Sequence, residues 1–152
     1  MTHVTFRKAT IADLPAIVAL LADDILGQQR EDSSVPPAQV YVDAFNAIDA
    51  DPNQLQVVAV NGEEVMGTLQ LTFTPGLARK GAWRGQIEGV RISRHHRSAG
   101  IGELMFAWAI EACKDKGCKW VQLTTDKQRP DAHRFYEKLG FVDSHIGYKL
   151  AL

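Results

Sequence analysis

Residues 97–110 read R-S-A-G-I-G-E-L-M-F-A-W-A-I, an arginine and two glycines at the mouth of an apolar helix. No other stretch constrains the chain as much, because V-R-I-S just before it has the character of a strand. A strand that passes through a short basic loop into a helix sets a layer of sheet against a layer of helix. The first turn of a helix carries N–H groups without intrahelical partners and a partial positive charge. Gly100 and Gly102 have no Cβ, which lets an anion approach that backbone closely. Arg94 and Arg97 add charge suited to a phosphate. Taken alone, the pattern is equally a plain turn. It is not a nucleotide P-loop, since no Lys-Ser/Thr pair follows the glycines, and a third glycine that would complete a dinucleotide fingerprint is missing.

The rest of the chain supplies context for this unit. T-I-A-D-L-P-A-I-V-A-L-L-A-D-D predicts a helix with Thr10 as cap and Asp13 as the capping-box acid. Leu14, Ile17, Leu20, Leu21 and Ile25 share one face of it. G-Q-Q-R-E-D-S-S-V-P-P reads as an exposed loop, and Pro36 and Pro37 open a second helix that packs Val40, Phe45 and Ile48. L-Q-V-V-A-V, the turn N-G-E-E and V-M-G-T-L-Q-L-T-F-T form a hairpin. W-R-G-Q-I-E-G-V-R-I-S is a third strand, where Gly89 suggests a bulge or a close backbone approach. A helix from about Gly100 to Lys116 buries Leu104, Ala107, Trp108 and Ala112. Then come the strand W-V-Q-L-T-T, the short helix D-A-H-R-F-Y-E-K-L, and F-V-D-S-H-I-G-Y-K-L-A-L as one or two closing strands.

Length and charge exclude several classes. The 152 residues suit one domain, 1–152, and the 45% hydrophobic content supports a core. A formal net charge of -1 gives no field that points to nucleic acid or an anionic membrane. No apolar run approaches the roughly 20 residues of a membrane span. M-T-H-V-T-F-R-K lacks the apolar core of a secretory leader. Cys113 and Cys118 read as reduced thiols, so a cytoplasmic protein is expected. His95 and His96 have no further ligands at metal spacing, and no metal site is assigned.

Two motifs then give a resemblance. V-R-I followed by R-S-A-G-I-G resembles the Arg/Gln-x-x-Gly-x-Gly/Ala signature of the GCN5-related N-acetyltransferases, the GNAT family. H-R-F-Y-E-K-L-G-F, residues 133–141, resembles that family's last helix. The resemblance implies an α/β, GNAT-type fold, with a mixed, mainly antiparallel central sheet flanked by helices on both faces. It also implies direct transfer of acetyl from acetyl-CoA to an acceptor amine in a ternary complex. The acceptor is a small molecule or a peptide, and a homodimer is compatible. A non-catalytic acyl-CoA-binding module is the alternative.

The resemblance assigns roles by position. Val90 and Ile92 lie on the strand that pairs with the pantetheine arm. Arg97, Ser98, Ala99, Gly100, Ile101 and Gly102 form the pyrophosphate loop. Tyr136 matches a tyrosine that protonates the departing thiolate. Arg129 stands where the family often has Asn, and either meets a CoA phosphate or faces solvent. His133 lies near CoA or is structural. Glu88, two residues before Val90, is the candidate general base, because an amine with a pKa near 10.4 is only about one part in a thousand neutral at pH 7. Two further regions bear on the acceptor. Arg79, Lys80, Trp83 and Arg84 would attract an anion, whereas Glu31 and Asp32 would attract a cation.

Overall fold

The computed structural model describes residues 3–152. Met1 and Thr2, part of the segment read above as lacking a leader's core, lie outside the described residues. Five strands form one sheet in chain order: β1 (Thr5–Lys8), β2 (Gln54–Asn61), β3 (Glu64–Thr74), β4 (Trp83–Ile92) and β5 (Cys118–Leu123). The first three junctions are antiparallel and the β4–β5 junction is parallel. The expected mixed, mainly antiparallel sheet is therefore observed.

Helices cover both faces. On one side, Leu14, Ile17 and Val18 of α1 (Leu14–Ala22) and Phe45 of α3 (Gln39–Ala50) pack on Val58 and Val60. On the other, α5 (Ile101–Asp115) lays Ile101, Met105, Phe106, Ala109 and Cys113 against Leu69, Leu71, Phe73 and Ile87. The short α6 (Pro130–Lys138) adds Phe135 and Tyr136 to that core. α2 (Ile25–Arg30) and a one-turn α4 (Ala78–Gly81), with Arg79 and Lys80 at positive φ, complete the α-helices, and single 3-10 turns stand at Ile11–Asp13 and Arg94–His96.

Local sequence chemistry explains much of this. Asp13 accepts from the Thr10 backbone N–H at 2.7 Å, which starts the first helical turn as the capping pattern predicts. The same carboxylate takes both Arg7 guanidinium nitrogens, at 2.7 and 2.9 Å. This pairing pulls the Asp13 carboxyl below the usual range. Asn61 pairs Glu64 across a two-residue turn, with Gly62 at φ 59°. The predicted bulge is present: Gln70 pairs Glu88 but Thr68 pairs Arg91, so β4 carries one extra residue, with Gly89 at φ 62°.

Several expectations are corrected. β1 was not foreseen, because a four-residue strand with one apolar side chain gives no alternation to detect. The first helix stops at Ala22. Asp24 then accepts from the Gly27 N–H at 2.6 Å and caps α2. Gly27 to Arg30 are thus helical rather than loop, and Ile25 is 78% exposed. Val40 also faces out, while Tyr41 and Val42 pack beside Phe45. The α5 stripe lies in a different phase from Leu104 and Ala107, both exposed. Residues 141–152 form no strand; their side chains, apart from Phe141, stand exposed.

Candidate active site

β4 and β5 pair from Trp83↔Cys118 to Ile87↔Leu123, where β5 ends. Beyond that point the β4 residues Glu88 to Ile92 keep β3 on one side and have no strand on the other. The gap opens there because β5 ends at Leu123, while β4 runs on past its bulge at Gly89 to Ile92. An extended chain entering it would meet unpaired backbone groups of the Val90–Ile92 edge, the arrangement used in β-strand addition. The Val90 carbonyl already accepts from Arg91 Nη1 at 2.8 Å and keeps a second lone pair.

The loop at the end of the gap leads into α5. Ser98 has φ 69°, and Gly100, the α5 N-cap, has φ 78°. No side chain caps this helix, so its first amides remain open to an anion. The two glycines serve different needs. Nothing lies within 4 Å of a Cβ built on Gly100, so its backbone conformation alone favours glycine. A Cβ on Gly102 would sit 3.3 Å from Phe135 Cζ, so that glycine lets α6 close onto the start of α5. Arg94 is held by Asp23 at the end of α1, while Arg97 is exposed. Of the two arginines read as phosphate partners, Arg97 is thus the available one.

Tyr136 belongs to an aromatic cluster. Its ring centroid lies 5.5 Å from Phe106, 5.7 Å from Phe135 and 6.2 Å from Phe141. Burial pushes its phenol pKa above the ordinary value, while the Arg129 and Arg91 charges act against this. Glu88 is exposed at the mouth of the gap, with Thr72 Oγ1 3.5 Å from its Oε1. Polar side chains flank it on the same sheet region, where Gln54 Oε1 accepts from Gln70 Nε2 at 2.8 Å and from Thr72 Oγ1 at 2.9 Å.

Arg129 is neither solvated nor free. Its Nη2 lies 2.5 Å from Asp24 Oδ2, which ties the start of α6 to the start of α2. His133 Nε2 meets the Asp126 carbonyl at 2.9 Å and secures the turn into α6. Trp83 packs into the core, and Arg79 lies over the Trp120 ring at 4.9 Å. Glu31 accepts from the Tyr41 hydroxyl at 3.0 Å, and Asp32 holds the Ser34 backbone. The loops expected to bias the acceptor are therefore largely committed to structure. Cys113 is buried under β4, and burial pushes its thiol pKa up to about 12, so it is a poor nucleophile.

Sequence reading missed Arg91. It is largely buried, its Nε has no partner among the described residues, and burial pulls its pKa down. Arg129, Asp24, Arg30 and Tyr136 act on it electrostatically. A charged residue between Val90 and Ile92, on a strand otherwise facing a core, was the available signal.

The β4 edge left open past the end of β5, beside an uncapped, glycine-led helix, suits an α/β acyltransferase. The acetyltransferase (GNAT) family model matches residues 20–141, and the chain belongs to that family of acetyl-CoA-dependent enzymes. It is 31% identical over 146 residues to an aminoalkylphosphonate N-acetyltransferase of Salmonella typhimurium, covering 96% of this chain and 90% of that protein. A crystal structure from Bacillus halodurans C-125, described as a transcriptional regulator, is 53% identical with a TM-score of 0.96, covering 99% and 100% of the two chains. Glucosamine-6-phosphate N-acetyltransferase from Arabidopsis thaliana shares the fold, at 22% identity and a TM-score of 0.79 over 98% of each chain. Among the described residues, no helix is long and apolar enough to cross a membrane.

Proposed function

We propose that this protein acetylates the amine of a small molecule that also carries an anionic group. The observation that carries the acetyl-transfer reading is the β4–β5 gap running into the open amides of α5. Acetyl-CoA, when bound, supplies a thioester-activated acetyl group. The residues present fit it: the Val90–Ile92 edge suits the amides of a pantetheine arm, and the loop of residues 97–102 suits a pyrophosphate. Open space above Gly100 and the exposed Arg97 favour that anion.

Glu88 takes the proton of the acceptor ammonium, directly or through one water, since it stands where the gap begins. Tyr136 keeps its proton at neutral pH and gives it to the leaving sulfur. A thiolate with a pKa near 8.5 needs this help only partly. Arg129 and His133 then act by fixing the start of α6, and so Tyr136, rather than by meeting CoA.

The anionic acceptor rests on Arg91. A largely buried guanidinium with an unpartnered Nε, near Arg129 and Arg30 and opposed by Asp24, favours a negative group. The likeness to the Salmonella enzyme, whose name gives aminoalkylphosphonates as acceptors, supports the same class. The test is thiol release from acetyl-CoA with an aminoalkylphosphonate and with the matching alkylamine that lacks the phosphonate. A kcat/KM at least tenfold higher for the phosphonate is expected. Equal turnover of both, or preference for the uncharged amine, refutes the anionic class.

A further inference from the structure

Two adjacent carboxylates, Asp23 and Asp24, stand at the joint between α1 and α2, the first as the C-cap of α1 and the second as the N-cap of α2. Leu21, just ahead of them, lies over the β4 bulge: a Cβ on Gly89 would sit 3.9 Å from Leu21 Cδ2. From the gap the chain leaves in two directions. β4 runs into the 3-10 turn Arg94–His96 and the loop of residues 97–102, while β5 runs through residues 124–129 into α6. Each direction is tied back to the joint. Asp23 accepts from Arg94 Nη2 and, at 3.1 Å, from Arg94 Nε, so both of its oxygens are engaged by one guanidinium. Asp24 Oδ2 meets Arg129 Nη2 at 2.5 Å, while its Oδ1 accepts from the Gly27 N–H at 2.6 Å.

Neighbouring Cα atoms are about 3.8 Å apart. One dipeptide therefore holds two segments that reach the gap from different strands. The Asp23 end belongs to the phosphate side: the Arg94 hydrogen bonds, with the Arg97 charge adding to them, hold its carboxyl below the ordinary range. The Asp24 end belongs to the proton-donor side: Arg129 stands just before the first residue of α6, and its charge acts on both Tyr136 and Arg91. Neither pair is sealed from solvent, so neither contributes much to holding the core together. Their effect is to place the segments on which binding and chemistry depend.

We infer that Asp23 and Asp24 are positioning residues with separate duties: Asp23 sets the loop that receives the pyrophosphate of acetyl-CoA, and Asp24 sets α6 and with it the Tyr136 hydroxyl. The inference rests on the acetyl-CoA reading of the gap and on Tyr136 as proton donor. Asparagine suits the test at both positions. It keeps the shape of the side chain and, at the N-cap of α2, caps as well as aspartate does. What is lost is the charge that faces each arginine.

The test compares the full chain with Asp23→Asn, Asp24→Asn, Tyr136→Phe and the double variant Asp24→Asn/Tyr136→Phe. Calorimetry gives the Kd for acetyl-CoA, and thiol release with an aminoalkylphosphonate gives kcat. Asp23→Asn is expected to weaken acetyl-CoA binding about three- to fivefold with kcat within about twofold, the size an exposed ion pair supports. Asp24→Asn is expected to keep the Kd and to lower kcat about five- to tenfold, less than loss of the acid itself. The double variant should be no slower than Tyr136→Phe alone, because Asp24 acts through that hydroxyl. Melting temperatures should fall by no more than about 4 °C. Variants that change Kd and kcat together, or change neither, overturn the inference, as does a double variant slower than Tyr136→Phe. A Tyr136→Phe enzyme as fast as the wild type, with acetyl-CoA binding still weakened by Asp23→Asn, refutes the proton-donor reading and the Asp24 duty with it. Should the acceptor not turn over, hydrogen exchange decides: faster exchange over residues 94–102 in Asp23→Asn alone and over residues 130–138 in Asp24→Asn alone supports the division, and any other pattern refutes it. Arg94→Gln or Arg129→Gln replaces an aspartate variant that does not fold, with the same split expected.

Discussion

Replacing Tyr136 by Phe removes one hydroxyl and keeps the ring that Phe106, Phe135 and Phe141 surround at 5.5 to 6.2 Å. The packing loss is therefore small, and the melting temperature should fall by no more than about 2 °C. Turnover should change far more. A positioned acid contributes roughly 10²–10⁴-fold, and a thiolate leaving group, with a pKa near 8.5, asks for the lower part of that range or less. The expected fall in kcat is about 10–100-fold, with KM for acetyl-CoA little changed. The pH profile gives a second reading. Burial raises the Tyr136 pKa above its ordinary value, so the phenol stays protonated through pH 9 and the wild type should show no falling limb from this group below that. Thiol release measured from pH 6 to 9.5 checks both. Equal kcat in variant and wild type at every pH refutes the proton-donor role. A fall in kcat matched by a large fall in melting temperature refutes the separation of chemistry from packing.

Three further outcomes test the physical account. Gly100→Ala places a Cβ at φ 78° with no neighbour to clash, so the cost is backbone strain of about 1–2 kcal/mol; thermal melts should fall by roughly 2–8 °C, with weaker acetyl-CoA binding by calorimetry. Phe106→Ala empties the centre of the aromatic cluster and should cost about 3–5 kcal/mol in urea denaturation. Asp13→Asn should cost about 1 kcal/mol near pH 7, discounted because Arg7 is partly in solvent. The folded Asp13 pKa lies below 3.8, so this contribution is present above pH 3.8 and disappears as pH falls through the lower folded value. The stability gap between wild type and Asp13→Asn, followed from pH 7 to pH 2, should close only in that acid range.

What the sequence reveals depends on how local the cause is. The Asp13 capping contact, the turn at Gly62 and the bulge at Gly89 arise from a few adjacent residues, and all are legible. The phase of α5 is not. I-G-E-L-M-F-A-W-A-I-E-A-C is apolar at most positions, so periodicity offers several stripes. The choice falls to Phe106, whose ring meets the α6 aromatics, and to Cys113 beneath Gly85. The glycines of the loop that leads into α5 show the same limit. Both read as room for an anion, yet Gly102 is also required by Phe135, more than thirty residues away. The closing strands expected over residues 141–152 do not form, because β-character in a short segment does not say whether any edge of the sheet will pair with it.

The account's central claim is that the gap between β4 and β5 and the open start of α5 together hold acetyl-CoA. Calorimetric titration of the purified protein with acetyl-CoA, ATP and NAD tests it most directly. The account predicts saturable binding of one acetyl-CoA per chain, with far weaker binding of the two nucleotides. Binding of ATP or NAD with no detectable binding of acetyl-CoA would contradict it.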